Sequence, residues 1–172
     1  MKKALFLAPF ALSLAACGII PTPPVAIPDA EIPLSASLTT SDQVVYLNQN
    51  ALSGASLPSV LQGLTIRGNA LYVNKGGTLK SVRLYVRSAL PTSGCTVIAN
   101  TAYVCPAAGE SAQAIGTVTL SANTNMPFTL QGPALDDAAK KGTGYFGVQV
   151  LEGRPLDTES IRLTNMKAQA RL

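Results

Sequence analysis

In residues 81–87, Ser81-Val82-Arg83-Leu84-Tyr85-Val86-Arg87, apolar and polar side chains alternate without a break. Successive side chains on a strand point to opposite faces, so Val82, Leu84 and Val86 share one face while Arg83, Tyr85 and Arg87 share the other. The same period returns at Leu64 and Ile66, at Leu71 and Val73, at Val118 and Leu120, at Phe128 and Leu130, and at Phe146, Val148 and Val150. In the last such run Ile161 and Leu163 are followed by Met166, Ala168 and Ala170. That change of parity demands a bulge or bend near Thr164-Asn165.

Turn-forming residues separate the runs: Gly68-Asn69, Lys75-Gly76-Gly77, Pro91 to Gly94, Asn123 to Asn125 and Glu152 to Pro155. One helix is predicted, over Pro133 to Lys141. Acidic Asp136 and Asp137 lie toward its start, Lys140 and Lys141 close it, and Gly142 stops it. A single short helix among about eight to ten strands predicts an all-β protein, an antiparallel two-sheet sandwich of Ig-like or jelly-roll-like type over residues 35–172.

Composition narrows the chemistry. The chain has 172 residues, no His and no Trp. Without His there is neither a Ser-His-Asp nor a Cys-His nucleophile system, and no His-ligated metal. Of 13 basic residues, Lys2 and Lys3 fall in a leader, which leaves 11 against 9 acidic ones. So small an excess argues against nucleic acid as partner.

Lys2 and Lys3 precede the apolar run Ala4 to Leu14, too short to span a bilayer. This is the pattern of a secretory signal, assigned to residues 1–16. Its end, Leu14-Ala15-Ala16-Cys17-Gly18, resembles the lipobox of bacterial lipoproteins. The resemblance covers about the first tenth of the chain. It implies thioether attachment of diacylglycerol to Cys17, cleavage before Cys17, and acylation (palmitate or a similar chain) of the new N-terminus. Multiple acyl chains anchor stably where one does not. It implies export to the cell envelope, and Gly18 in place of Asp favours the outer membrane over the inner one. An ordinary signal peptide with an incidental cysteine is the competing reading. Residues 17–34 then contain Pro21, Pro23, Pro24, Pro28 and Pro33. That density predicts a polyproline spacer of roughly 50 Å if fully extended.

With Cys17 assigned to lipid, Cys95 and Cys105 remain as one pair in an oxidising compartment. Folding the segment between them about Asn100 sets Cys95 opposite Cys105 and Val97 opposite Tyr103. Opposed strand residues lie about 4.5 to 5.5 Å apart at Cα, within disulfide reach. A metal site would lack further ligands, and a redox pair would lack Cys-x-x-Cys spacing.

Three other features offer candidate chemistry. Gly142-Thr143-Gly144-Tyr145-Phe146-Gly147 is a literal G-x-G-x-x-G, but a helix precedes it and a strand follows, the reverse of a dinucleotide site. Asp136, Asp137, Glu152, Asp157 and Glu159 are the acidic supply for a carboxylate pair or cation site, without EF-hand spacing. Arg83, Tyr85 and Arg87 form the candidate ligand-binding strip, able to face an acidic glycan, a phosphate or a protein. No cofactor or metal is expected. The reading is a non-enzymatic, membrane-anchored envelope lipoprotein acting through protein contact or envelope structure. The alternative is a polysaccharide or cell-wall ligand-binding module, for which the five tyrosines would be stacking platforms.

Overall fold

A computed structural model describes residues 21–55 and 62–171. The signal segment 1–16, Cys17 and Gly18 lie outside the described residues. Eleven strands run in chain order: β1 (Val25–Ala26), β2 (Ala30–Pro33), β3 (Gln43–Asn50), β4 (Gln62–Val73), β5 (Ser81–Arg87), β6 (Thr96–Ile98), β7 (Ala102–Pro106), β8 (Ala114–Thr119), β9 (Asn125–Gln131), β10 (Tyr145–Glu152) and β11 (Ser160–Arg171). Two short 3-10 turns, Ala107–Gly109 and Ser111–Gln113, lie between β7 and β8, and helix α1 (Pro133–Lys141) joins β9 to β10.

The strands form two antiparallel sheets packed face to face. In the first, β1 and β2 share one edge of β11, followed by β4 and β9; the second has the order β6-β7-β3-β10-β5-β8. Between them Ile66, Leu130, Leu163 and Ile161 from one sheet meet Val82, Leu84, Val86 and Val148 from the other, all at most 1% exposed. Helix α1 places Leu135 and Ala138 in that core. Its end is the expected one: Gly142 takes the left-handed conformation at φ 67°, open to glycine at little cost, and its amide reaches back to the Ala138 and Ala139 carbonyls.

The parity switch in β11 is a bulge. Register slips between Thr164 and Lys167, Asn165 stands at φ 53°, and its amide donates to Asp29 Oδ1 at 3.1 Å. Asn is one of the few residues that enters this conformation readily. The bulge keeps Ile161 and Leu163 on the same face as Met166, Ala168 and Ala170.

Two sequence expectations fail. Gly68-Asn69 is not a turn, because β4 runs through it. Ala70 and Tyr72 continue the inward series from Leu64 and Ile66, and Leu71 and Val73 are half-buried on the other face. Glycine is needed at position 68 for space: a Cβ there would meet Thr164 O at 2.9 Å and Phe128 Cζ at 3.0 Å, beside the β11 bulge. Nor is the proline-rich stretch a free spacer from Pro21 onward. Val25 and Ala26 pair with Ala168 and Lys167, and β2 pairs with Ser160 to Leu163. The Thr22 amide donates to Ala170 O at 2.8 Å. Proline suits an edge strand, where a missing N–H can face away from the sheet. The exposed edge of β11 supplies the pairing that composition alone does not reveal.

Candidate functional site

The strip Arg83, Tyr85 and Arg87 does share one face of β5, the outer face of the second sheet, but the structure does not hold it together as a surface. Arg83 is exposed, Tyr85 is 2% exposed, and Arg87 is half-buried in an ion pair. The Tyr85 hydroxyl donates to Gln149 Oε1 at 2.5 Å, and Gln149 in turn donates to the Ser41 carbonyl. The cause is a second, smaller core on this face. Val44, Tyr46, Tyr85 and Cys105 are buried there against Leu90, Cys95, Tyr103 and Ala107. Strand alternation reports which face a residue occupies; it does not report that both faces are covered.

The cover comes from the segment between β5 and β8, from the stretches on either side of its hairpin, whose strands extend the sheet beyond β3. Its hairpin of β6 and β7 turns at Ala99-Asn100, both at positive φ, and is closed by the Cys95–Cys105 disulfide, with Cα atoms 4.4 Å apart. Val97 pairs with Tyr103 as the folding about Asn100 requires. Glu110 of this cover meets Arg87 of β5, which grips both carboxylate oxygens, at 3.0 and 2.6 Å. The Tyr46 hydroxyl donates to Glu110 Oε2 at 2.6 Å, and the guanidinium lies 5.5 Å from the centre of the Tyr46 ring. Burial, then the Glu110 carboxylate, push the Tyr46 phenol far above its ordinary value, while the hydrogen bond to Glu110 raises Arg87. Cys95, Cys105 and Glu110 lie close enough together to suggest a metal cluster. The donor set does not fit one, since the sulfurs are bonded to each other and the carboxylate is already engaged by Arg87 and Tyr46.

Glycines of the G-x-G-x-x-G segment have packing roles. Gly142 caps α1. A Cβ at Gly144 would press on Leu52 at 2.9 Å, and one at Gly147 would come within 2.6 Å of the Tyr46 ring.

The five acidic candidates do not converge on one another. Asp136 accepts the Gly63 and Leu64 amides and so ties α1 to β4. Asp137 pairs with Lys141, Glu152 with Lys80, and Asp157 accepts the Ala36 amide. Glu159 is different, at 1% exposure. Its carboxylate accepts the Tyr72 hydroxyl at 2.5 Å and the amides of Lys75, Gly77 and Leu156 at 2.7, 2.9 and 2.7 Å. Burial pushes this carboxyl up, but the Tyr72 hydroxyl and the three amides outweigh it and hold the group at about 2. Burial and then Glu159 raise Tyr72 to about 12. Glu159 therefore remains a charged acceptor that knots the Lys75-Gly76-Gly77 turn to the loop before β11. In the sequence Glu159 is one loop acid among several and nothing marks Glu110; the paired glycines Gly76-Gly77, whose turn leaves amides to be met, are the signal that points to the first.

Of the tyrosines proposed as sugar platforms, Tyr46, Tyr72 and Tyr85 are buried and only Tyr103 and Tyr145 are half-buried.

A broad concave surface lies elsewhere among the described residues, on the outer face of the first sheet. Thr65, Arg67 and Asn69 of β4 and Asn165, Lys167 and Gln169 of β11 line a groove of about 530 Å³ with Pro24 on its rim. Through Thr65, Arg67 and Gln169 it continues into a hollow of about 150 Å³ bordered by Arg171 and Pro21. Neither family models nor curated proteins match the chain.

Proposed function

We propose that this protein is a membrane-anchored lipoprotein of the cell envelope, non-enzymatic, that works by contact with an envelope protein or as part of envelope structure. The observation that carries the reading is Leu14-Ala15-Ala16-Cys17-Gly18 placed directly after a charged and apolar leader. Supporting it, the loop carboxylates are each occupied by an amide, a hydroxyl or a cation, so no pair is poised as acid and base. In an envelope with two membranes, Gly18 favours the outer one.

The test is the fate of Cys17. Native protein is expected in the membrane fraction, with acyl mass on an N-terminal peptide that begins at Cys17; Cys17→Ser is expected to lose that mass. Native protein recovered in the soluble fraction without acyl mass would overturn the anchor. In-cell crosslinking with mass spectrometry then separates the two modes of contact. Reproducible protein neighbours support the proposal, and recovery of wall polysaccharide without protein would replace it with the glycan-binding alternative.

A further inference from the structure

We propose that the outer face of the first sheet is the surface this protein lays on its membrane, its cations meeting the phosphates of anionic phospholipid headgroups. The inference rests on Cys17 being the lipid anchor and adds which side of the body faces the bilayer. Its first support is charge. Arg67 on β4 and Lys167 on β11 are directly opposed in the antiparallel register, and Arg171 lies further along β11. Like charges directly opposed across strands destabilise a sheet, so the pair has no rationale within the fold itself. Among the described residues no carboxylate lines the groove or its extension, Asp29 meeting only the Asn165 amide at one end, and none of the three cations enters an ion pair. Arg162, by contrast, sits on the same strand and is paired with Glu31.

The second support is where the chain enters. Pro21 bridges to Arg171, Thr22 bonds to Ala170, and Pro24 stands on the groove rim. Between Cys17 and Pro21 only four peptide steps remain, which span at most about 14 Å. The lipid would thus emerge beside the cationic face, not at the end of a long arm. At physiological salt the Debye length is about 8 Å, so charges held this near a bilayer act on its headgroups. Thr65, Asn69, Asn165 and Gln169 add neutral hydrogen-bonding groups between the cations, as a phosphate-bearing surface requires.

The native full-length protein is reconstituted into vesicles of phosphatidylcholine, alone or mixed with phosphatidylglycerol, and lysine acylation is followed by mass spectrometry. Lys167 is expected to react about fivefold more slowly in the anionic vesicles. Exposed Lys80, on the other sheet's side, serves as reference and should not change. Salt near 1 M, where the Debye length is about 3 Å, should restore Lys167. Arg67→Gln, an exposed change that spares the core, should weaken the slowing while thermal unfolding stays the same. Equal labelling of Lys167 in both vesicles, on protein whose Cys17 is acylated, overturns the headgroup contact and leaves the anchor standing. Absence of acyl mass on Cys17 overturns the anchor and with it this orientation. Protection that appears only after an envelope extract is added would assign the face to a protein instead.

Discussion

Glu159 and Glu110 are both buried glutamates that accept a tyrosine hydroxyl, yet they are neutralised by opposite means. Glu110 faces a guanidinium, Arg87, from the covering stretch that follows the disulfide-closed hairpin. Glu159 has no cation among its hydrogen-bond donors and is held by three backbone amides of two loops. Side-chain partners can be exchanged by mutation, whereas amides cannot. The Glu110 site should therefore be repairable with apolar residues, and the Glu159 site should not.

Glu159→Ala gives the largest expected effect. It strands the buried Tyr72 hydroxyl and the part-buried Lys75, Gly77 and Leu156 amides, and at roughly 1 kcal/mol for each unmet donor the loss should be about 4 kcal/mol. Urea unfolding measures it; a loss below about 1 kcal/mol would mean that water replaces the carboxylate and that the knot is not a unit. The same site sets the acid response. Because the folded carboxyl lies at about 2 against an ordinary 4.5, its contribution is full above about pH 4.5 and disappears as pH falls toward 2. The contribution at neutral pH is roughly 3 kcal/mol. Glu159→Gln should flatten stability against pH across that window, and an unchanged acid limb would assign the response elsewhere.

Arg87→Ala leaves Glu110 buried without its counter-charge, and about 3 kcal/mol of destabilisation is expected, less than a fully enclosed pair because Arg87 keeps partial access to water. The decisive contrast is rescue. Replacing Arg87, Glu110 and Tyr46 together by Met, Leu and Phe should return stability to within about 1 kcal/mol of the native protein. If no such apolar set recovers it, the two sites do not differ as argued. Removing the disulfide with Cys95→Ala and Cys105→Ala should cost about 2 to 3 kcal/mol, since the closed loop is short. Calorimetry should show this loss adding to that of Glu159→Ala if the two regions are independent. Smallest are Tyr46→Phe and Tyr72→Phe, each about 1 kcal/mol.

The same contrast explains what the sequence disclosed. Residues 81–87 announce the strand because alternation depends only on side-chain polarity along one segment, and Met166 after Leu163 announces the bulge for the same reason. Cys95 and Cys105 could be paired because the hairpin between them is local. The strip of Arg83, Tyr85 and Arg87 was misread as one surface because the residues that cover Tyr85 come from β3, β7 and the loop after β5. Gly68 was misread as a turn because its crowding comes from Phe128 and Thr164, 60 and 96 positions away. Glu110 and Glu159 lie at the limit of this kind of reading: a glutamate among loop residues looks solvated until the amides and cations that meet it are placed in space.

The edge shared by β1, β2 and β11 also governs the order of assembly. Among the described residues every strand pairing of residues 21–33 is with Ser160–Arg171, so the earliest described stretch of the polypeptide waits for nearly all 172 residues to be synthesised before it pairs. Once β11 arrives, β1 and β2 pair along it, so a strand border that would otherwise stand open to a foreign chain is filled from within.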